Sequence, residues 1–205
     1  MSTRSRSSLP ALKCGTHFSG TLTLSPDLGF RPTRGGRRPV RSANMQRIER
    51  LDRPQVVQLL DRANLLPAIF FIFSRAGCDA AVGQLMHSGI RLTNASERRE
   101  LEQIAAEHTE GLSPSDLDAL DYGHFLDAFR NGIAAHHAGM LPAFKEAVEQ
   151  GFVEGLVKIV FATETLALGI NMPARSVVLE KLIKYNGEAH VDITPGEYTQ
   201  LTGRA

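Results

Sequence analysis

AIFFIF, residues 68–73, is a run of six apolar residues between Pro67 and the polar pair Ser74 and Arg75. Its length suits a strand, and its lack of polar alternation requires cover on both faces, as in a parallel sheet sandwiched by helices. Working outward, VKIVFA at 157–162 and SVVLEKL at 176–182 have the same character, and GIAAH at 132–136 is a shorter fourth run. Helical patterns separate them at 77–87, over a polar stretch at 96–130, and at 142–152. Strands alternating with helices predict crossover units, a parallel sheet and an α/β domain. Upstream, Ile48, Leu51, Val56, Leu59, Leu60 and Ala63 recur at helical intervals. Pro54 there forces a break or a new first turn after Asp52, giving one or two amphipathic helices over 44–66.

A chain of 205 residues with 42% hydrophobic content can bury one core, which predicts a single domain at 44–205. The net charge of +1 conceals an asymmetry: residues 1–53 hold eleven of the 23 Lys and Arg but only three of the 22 acids. Five arginines fall within RPTRGGRRPVR at 31–41. Such a cluster can meet a phosphate backbone by counterion release, and equally can be a solvated linker. Residues 1–43 mix Ser, Thr, Arg, Gly and Pro without a sustained period, so a disordered or poorly ordered basic segment is expected there. No apolar run reaches membrane-spanning length and the N-terminus lacks a signal-like apolar stretch. Cys14 and Cys78 stand alone, giving neither a disulfide framework nor paired metal-ligand spacing, and a reducing cytoplasm fits best.

In open parallel sheets, ligands bind at the carboxyl ends of the strands. The residues expected there are Ser74 and Arg75, His137 to Gly139, and Thr163 to Thr165. After the run at 157–162, the segment FATETLALGINMP offers hydroxyls at Thr163 and Thr165, which are natural phosphate ligands. Gly169 permits close approach of a backbone or nucleotide, and Asn171 presents both donor and acceptor to a ribose hydroxyl. The competing reading makes Thr163 a helix cap and Gly169 a helix end. His136 and His137 are adjacent, so a strand would point them to opposite faces, which argues against a shared metal. At the far end, TPGEYTQLTGRA reads as a helix with Thr194 as N-cap, Pro195 in the first turn and Glu197 completing a capping box. Gln200 and Arg204, four apart, share one face of it, and such an arginine can stabilise charge on a γ-phosphate or be simply solvated. There is no GxxxxGK[ST] phosphate loop and no acidic DExH quartet to hold magnesium, so these residues cannot assemble a complete NTPase centre.

Taken in order, IFFIFSRAGCDAAV, GIAAHHAGMLPAFKEAVEQGF, VKIVFATETLALGINMPARSVV and GEYTQLTGRA resemble motifs IV, IVa, V and VI of superkiller-type DExH-box helicases of superfamily two, and within them the actinobacterial HelY group. The resemblance spans residues 40–205. It implies a RecA-like three-layer domain, the second of two that close on ATP with Mg2+ while single-stranded RNA or DNA crosses both. By that resemblance Ser74, Arg75, His137, Gly139, Thr163 and Thr165 face the nucleic-acid backbone. Gly169, Asn171, Gln200, Gly203 and Arg204 then face nucleotide, with Gln200 and Arg204 acting on its γ-phosphate as the opening of a QxxGRxGR motif. The chain ends inside that motif, and the stretch at 96–130 resembles the family's helical insertion between motifs IV and IVa. The magnesium ligands and the first RecA-like domain are expected from outside this chain, whose residues alone are expected to neither hydrolyse ATP nor unwind. Two other readings exist: a binding module driven by the 31–41 arginines, and a small-molecule enzyme on a doubly wound sheet. The second lacks any GxGxxG turn after a strand.

Overall fold

The computed structural model describes residues 21–23, 51–168, 172, 174–185 and 187–203. Four strands form its centre: β2 (Ala68–Phe71), β3 (Ile133–His136), β4 (Ile159–Ala162) and β5 (Ser176–Leu179). They run parallel in the order β5-β2-β4-β3, and β1 (Thr21–Thr23) extends the sheet beyond β5. Every residue of β2, β4 and β5 is buried, as continuous apolar runs require when both faces are covered. β1 belongs to the segment expected to contribute little; the remainder of 1–50 lies outside the described residues.

Alternation along each strand sends side chains to two cores. On one face Ala68, Phe70, Ile159, Phe161 and Val178 pack under α1 (Arg53–Arg62) and α2 (Arg75–His87). Phe70 and Phe161 meet there at 5.1 Å between ring centroids. On the other face Ile69, Phe71, Val160, Ala162, Val177 and Leu179 pack under α3 (Ala95–Thr109) and α6 (Pro142–Val153). Two helical layers around one parallel sheet are the three-layer arrangement of a RecA-like domain.

Local signals explain the helix starts. Asp52 caps α1 by accepting the Gln55 N–H at 2.8 Å, while Gln55 Oε1 accepts the Asp52 N–H. The predicted first turn after Asp52 is therefore present, with Pro54 inside it. The polar stretch at 96–130 is three helices: α3, α4 (Pro114–Ala119) and α5 (Tyr122–Phe129). Of these α3 is part of the domain's core, because Leu101, Ile104 and Ala105 bury against α6. Gly151 makes that approach possible: a Cβ there would stand 2.9 Å from Leu101 Cδ2 and 3.1 Å from Phe129 Cζ. Beyond β5 comes a hairpin with no counterpart in the sequence reading, β6 (Ile183–Tyr185) antiparallel to β7 (His190–Asp192). The chain then enters α7 (Pro195–Thr202) through the expected capping box, with Thr194 Oγ1 accepting the Glu197 N–H and Glu197 Oε2 accepting the Thr194 N–H.

Candidate nucleic-acid rim and nucleotide face

The register fixes where the candidate residues emerge. Phe71 at the end of β2 and His136 at the end of β3 both register with Ala162 at the end of β4 between them, so all three strands finish on one line. Ser74 and Arg75, His137 and Gly139, and Thr163 and Thr165 follow these ends as neighbouring segments of a single rim.

Each segment is held differently. Ser74 is the N-cap of α2, its hydroxyl accepting the Gly77 N–H at 3.2 Å, so its side chain is committed to the helix start. Arg75, expected in a loop, is the first residue of α2; it is exposed and makes no ion pair with any described residue. His137, expected to face nucleic acid, is instead 6% exposed. Its Nδ1 accepts the Gly139 N–H at 3.1 Å, so Nε2 carries the proton facing Asp79 Oδ1 at 2.9 Å. His136 is also buried, with Nε2 2.7 Å from Glu149 Oε1. The two histidines do diverge, but both are packed, because helices cover each face of β3.

Gly139 marks a close approach. A Cβ there would lie 3.2 Å from His137 Nδ1 and 3.3 Å from Arg75 Cδ, so the Arg75 side chain crosses bare backbone. This brings Arg75, His137 and Gly139 into one contact group. Beside it, the Thr163 N–H donates to the His136 carbonyl at 3.2 Å, and the hydroxyls of Thr163 and Thr165 stand 3.0 Å apart. Thr163 precedes a 3₁₀ turn, Glu164–Leu168, and both threonines reach solvent.

The nucleotide-facing candidates divide. Gly169, Asn171 and Arg204 lie outside the described residues. Gln200 and Gly203 are exposed at the C-terminal end of α7, and the Gly203 N–H donates to the Thr199 carbonyl at 2.9 Å. Gln200 lines a cleft of 240 Å³ with Phe73, Glu164, Thr165, Lys184, Ile193, Glu197 and Leu201. Thr165 and Gln200, one from each candidate set, thus share a cavity wall.

Lys184 sits in that cleft and escaped the sequence reading. Its Nζ lies 2.5 Å from Glu197 Oε1 and 3.0 Å from Glu164 Oε2. Hydrogen bonds to Glu197 and then Glu164 raise the Lys184 ammonium above its ordinary value. The bond from Lys184, followed by the two from Thr194, draws the Glu197 carboxyl down to about 2. One signal could have found the hairpin: Asn186-Gly187 within IKYNGEAHVD is the dipeptide that closes tight hairpins.

On the α1 side, Arg53 forms a fork on Glu180, Nε to Oε1 at 2.5 Å and Nη2 to Oε2 at 2.7 Å, and its Nη1 donates to Gln84. That arginine is therefore engaged inside the fold. The Cys78 thiol is buried and pushed up to about 12 by that burial, which leaves it chemically quiet. Among the described residues, no group of three or more His, Cys, Asp or Glu could hold a metal ion, and no helix is long and apolar enough to cross a membrane.

With this geometry in place, comparison with known proteins decides the family. A helicase conserved C-terminal domain matches residues 112–205. Probable helicase HelY of Mycobacterium leprae is 59% identical over 155 residues, covering 76% of this chain and 17% of its own length. Superkiller complex protein 2 of Mus musculus is 42% identical over 140 residues, 68% of this chain and 11% of its own. The chain belongs to the superkiller-type DExH-box helicases. Its RecA-like domain is the helicase C-terminal domain of that family. DExH-box ATP-dependent RNA helicase DExH11 of Arabidopsis thaliana is 39% identical over 150 residues, 73% of this chain and 11% of its own. The chain thus spans about a sixth or less of the length of these relatives.

Proposed function

We propose that this chain contributes one lobe of an ATP-dependent RNA or DNA helicase, presenting a nucleic-acid rim and one wall of an ATP site to a first RecA-like domain. The observation that carries this reading is the common finishing line of β2, β4 and β3, from which exposed Arg75 lies against the backbone of Gly139 while half-buried Thr163 and exposed Thr165 follow the neighbouring strand end. An unpaired guanidinium, two hydroxyls and uncovered backbone suit a phosphate chain, and none of them reads base identity. Within the reading, Arg75, Gly139, Thr163 and Thr165 make the contacts, while Ser74 and His137 hold the backbone that presents them.

Gly169, Asn171, Gln200, Gly203 and Arg204 form the nucleotide wall in this proposal. The described members fit, since Gln200 offers a donor and an acceptor from an exposed helix end and Gly203 leaves space beside it. ATP with Mg2+ would supply the free energy that drives closure of the two lobes. The magnesium ligands belong to the partner lobe in this scheme, and the setting is cytoplasmic. The Arabidopsis relative, an ATP-dependent RNA helicase by name, favours the same chemistry.

The test is fluorescence anisotropy of a labelled single-stranded oligonucleotide with the 205-residue chain across a salt series. Salt-sensitive binding that is lost in Arg75→Gln/Thr163→Val supports the rim. Binding that ignores those substitutions but vanishes when the five arginines at 31–41 are changed to glutamine, with β1 left in place, transfers function to that cluster, as a stand-alone nucleic-acid-binding fragment. The chain by itself is expected to be silent in a nucleic-acid-stimulated ATPase assay, and robust turnover would overturn the need for a first lobe.

A further inference from the structure

We propose that Lys184 is a positioning residue that latches α7 to the turn carrying Thr163 and Thr165, so that nucleic acid on the rim is felt at the nucleotide face. The inference rests on the rim reading above and adds to it a route between its two ends. Glu164 lies between the two rim threonines, and Glu197 lies one helical turn before Gln200 on α7. Both carboxylates reach the same nitrogen, at 3.0 and 2.5 Å. Glu197 is doubly engaged, because its other oxygen accepts the N–H and hydroxyl of Thr194 at 2.8 and 2.9 Å. A pull on Glu164 therefore reaches the capping box that sets where α7 begins.

Charge makes this a latch and not merely a link. Without the ammonium, Glu164 and Glu197 would be two like charges converging on one point, and their repulsion would open the cleft. Beneath them Leu166 and Leu201 are buried in the same core, which gives the turn and the helix a surface on which to shift together. Lys184 itself projects from β6, whose hairpin joins β5 to α7, so the latch closes a loop in the chain that neither rim segment could close alone.

The experiment follows backbone amides by NMR in the 205-residue chain while a short single-stranded oligouridine is added. In the wild type, amides at 163–166 and at 197–203 shift together and saturate with one affinity. In Lys184→Met the 163–166 response persists and the 197–203 response is lost, while Lys184→Arg restores it. An α7 response retained in Lys184→Met, or a wild-type α7 that stays silent while 163–166 respond, overturns the latch. Silence of Arg75, Thr163 and Thr165 in the wild type instead sinks the rim reading. In that event hydrogen exchange without nucleic acid judges the latch. Lys184→Met should speed exchange at Glu164–Leu168 and in α7 by about threefold, with β2 and β4 unchanged as the check on folding. Unchanged exchange at either segment rejects it.

Discussion

Gly139 is where a single hydrogen atom matters. Its missing side chain lets Arg75 cross the loop while His137, fixed by Asp79, accepts its N–H. In Gly139→Ala the new methyl must displace a pinned imidazole or the arginine stem, and the arginine is the freer of the two. Oligonucleotide affinity should fall and the salt dependence should flatten by about 0.7, the share of one phosphate contact on a single strand, with the unfolding midpoint nearly unchanged. A salt slope equal to that of the wild type would show that Arg75 meets no phosphate. At Glu197 the carboxyl is held at about 2, below the ordinary 4.5, by Lys184 first and by Thr194 after it. A lowered carboxyl contributes its stability above its unfolded value and loses it as the folded group takes up a proton. The attachment of α7 should therefore persist down to about pH 4.5 and weaken between there and about pH 2. Carbon-detected titration of Glu197 checks this, and in Lys184→Met the same carboxyl should titrate higher.

At the scale of elements, α3 and α6 pack closely on one face of the sheet. Gly151 stands where Leu101, Val157 and Phe129 converge within 2.9 to 3.1 Å of an added Cβ, so neither helix can retreat without uncovering Ile104 or Phe152. Gly151→Ala should cost about 1–3 kcal/mol in denaturant unfolding, despite the better helix propensity of alanine. A stabilised variant would mean that α3 floats free of the sheet as a peripheral insertion. The capping boxes at Asp52, Asn94, Ser113 and Thr194 act at the same scale. Each satisfies N–H groups that a helix start leaves open, and each fixes one helix to the loop before it.

For the molecule as a whole, the parallel sheet is both the core and the ruler that aligns the rim. Phe161 lies at its centre, fully buried and against Phe70. Phe161→Ala should cost about 3–5 kcal/mol, a large fraction of a small domain's total stability. The loss should appear as a cooperative fall in melting temperature by circular dichroism, and weakened oligonucleotide binding should follow unfolding without preceding it. A folded Phe161→Ala chain whose rim has lost its affinity would instead place that ring in the site's geometry. The latch at Lys184 belongs to this scale as well, because it ties segments 20 and 13 residues away from it.

The apolar runs at 68–73, 157–162 and 176–182 determined the strands, and the hydroxyl and carboxylate spacings at Thr194 and Glu197 determined the start of α7. These outcomes depend on neighbours in sequence, so the sequence alone could specify them. The strand-end positions of Arg75 and Thr163 were legible for the same reason, since a strand's end is a local event. Tertiary structure decided the rest. It buried His137 by laying α2 and α6 over β3, and it drew α3 into the core through the gap left by Gly151. It also brought Glu164 and Glu197 onto the Lys184 nitrogen across a hairpin. Such meetings depend on register and packing between distant segments, where a shift of one residue would turn each side chain to the opposite face.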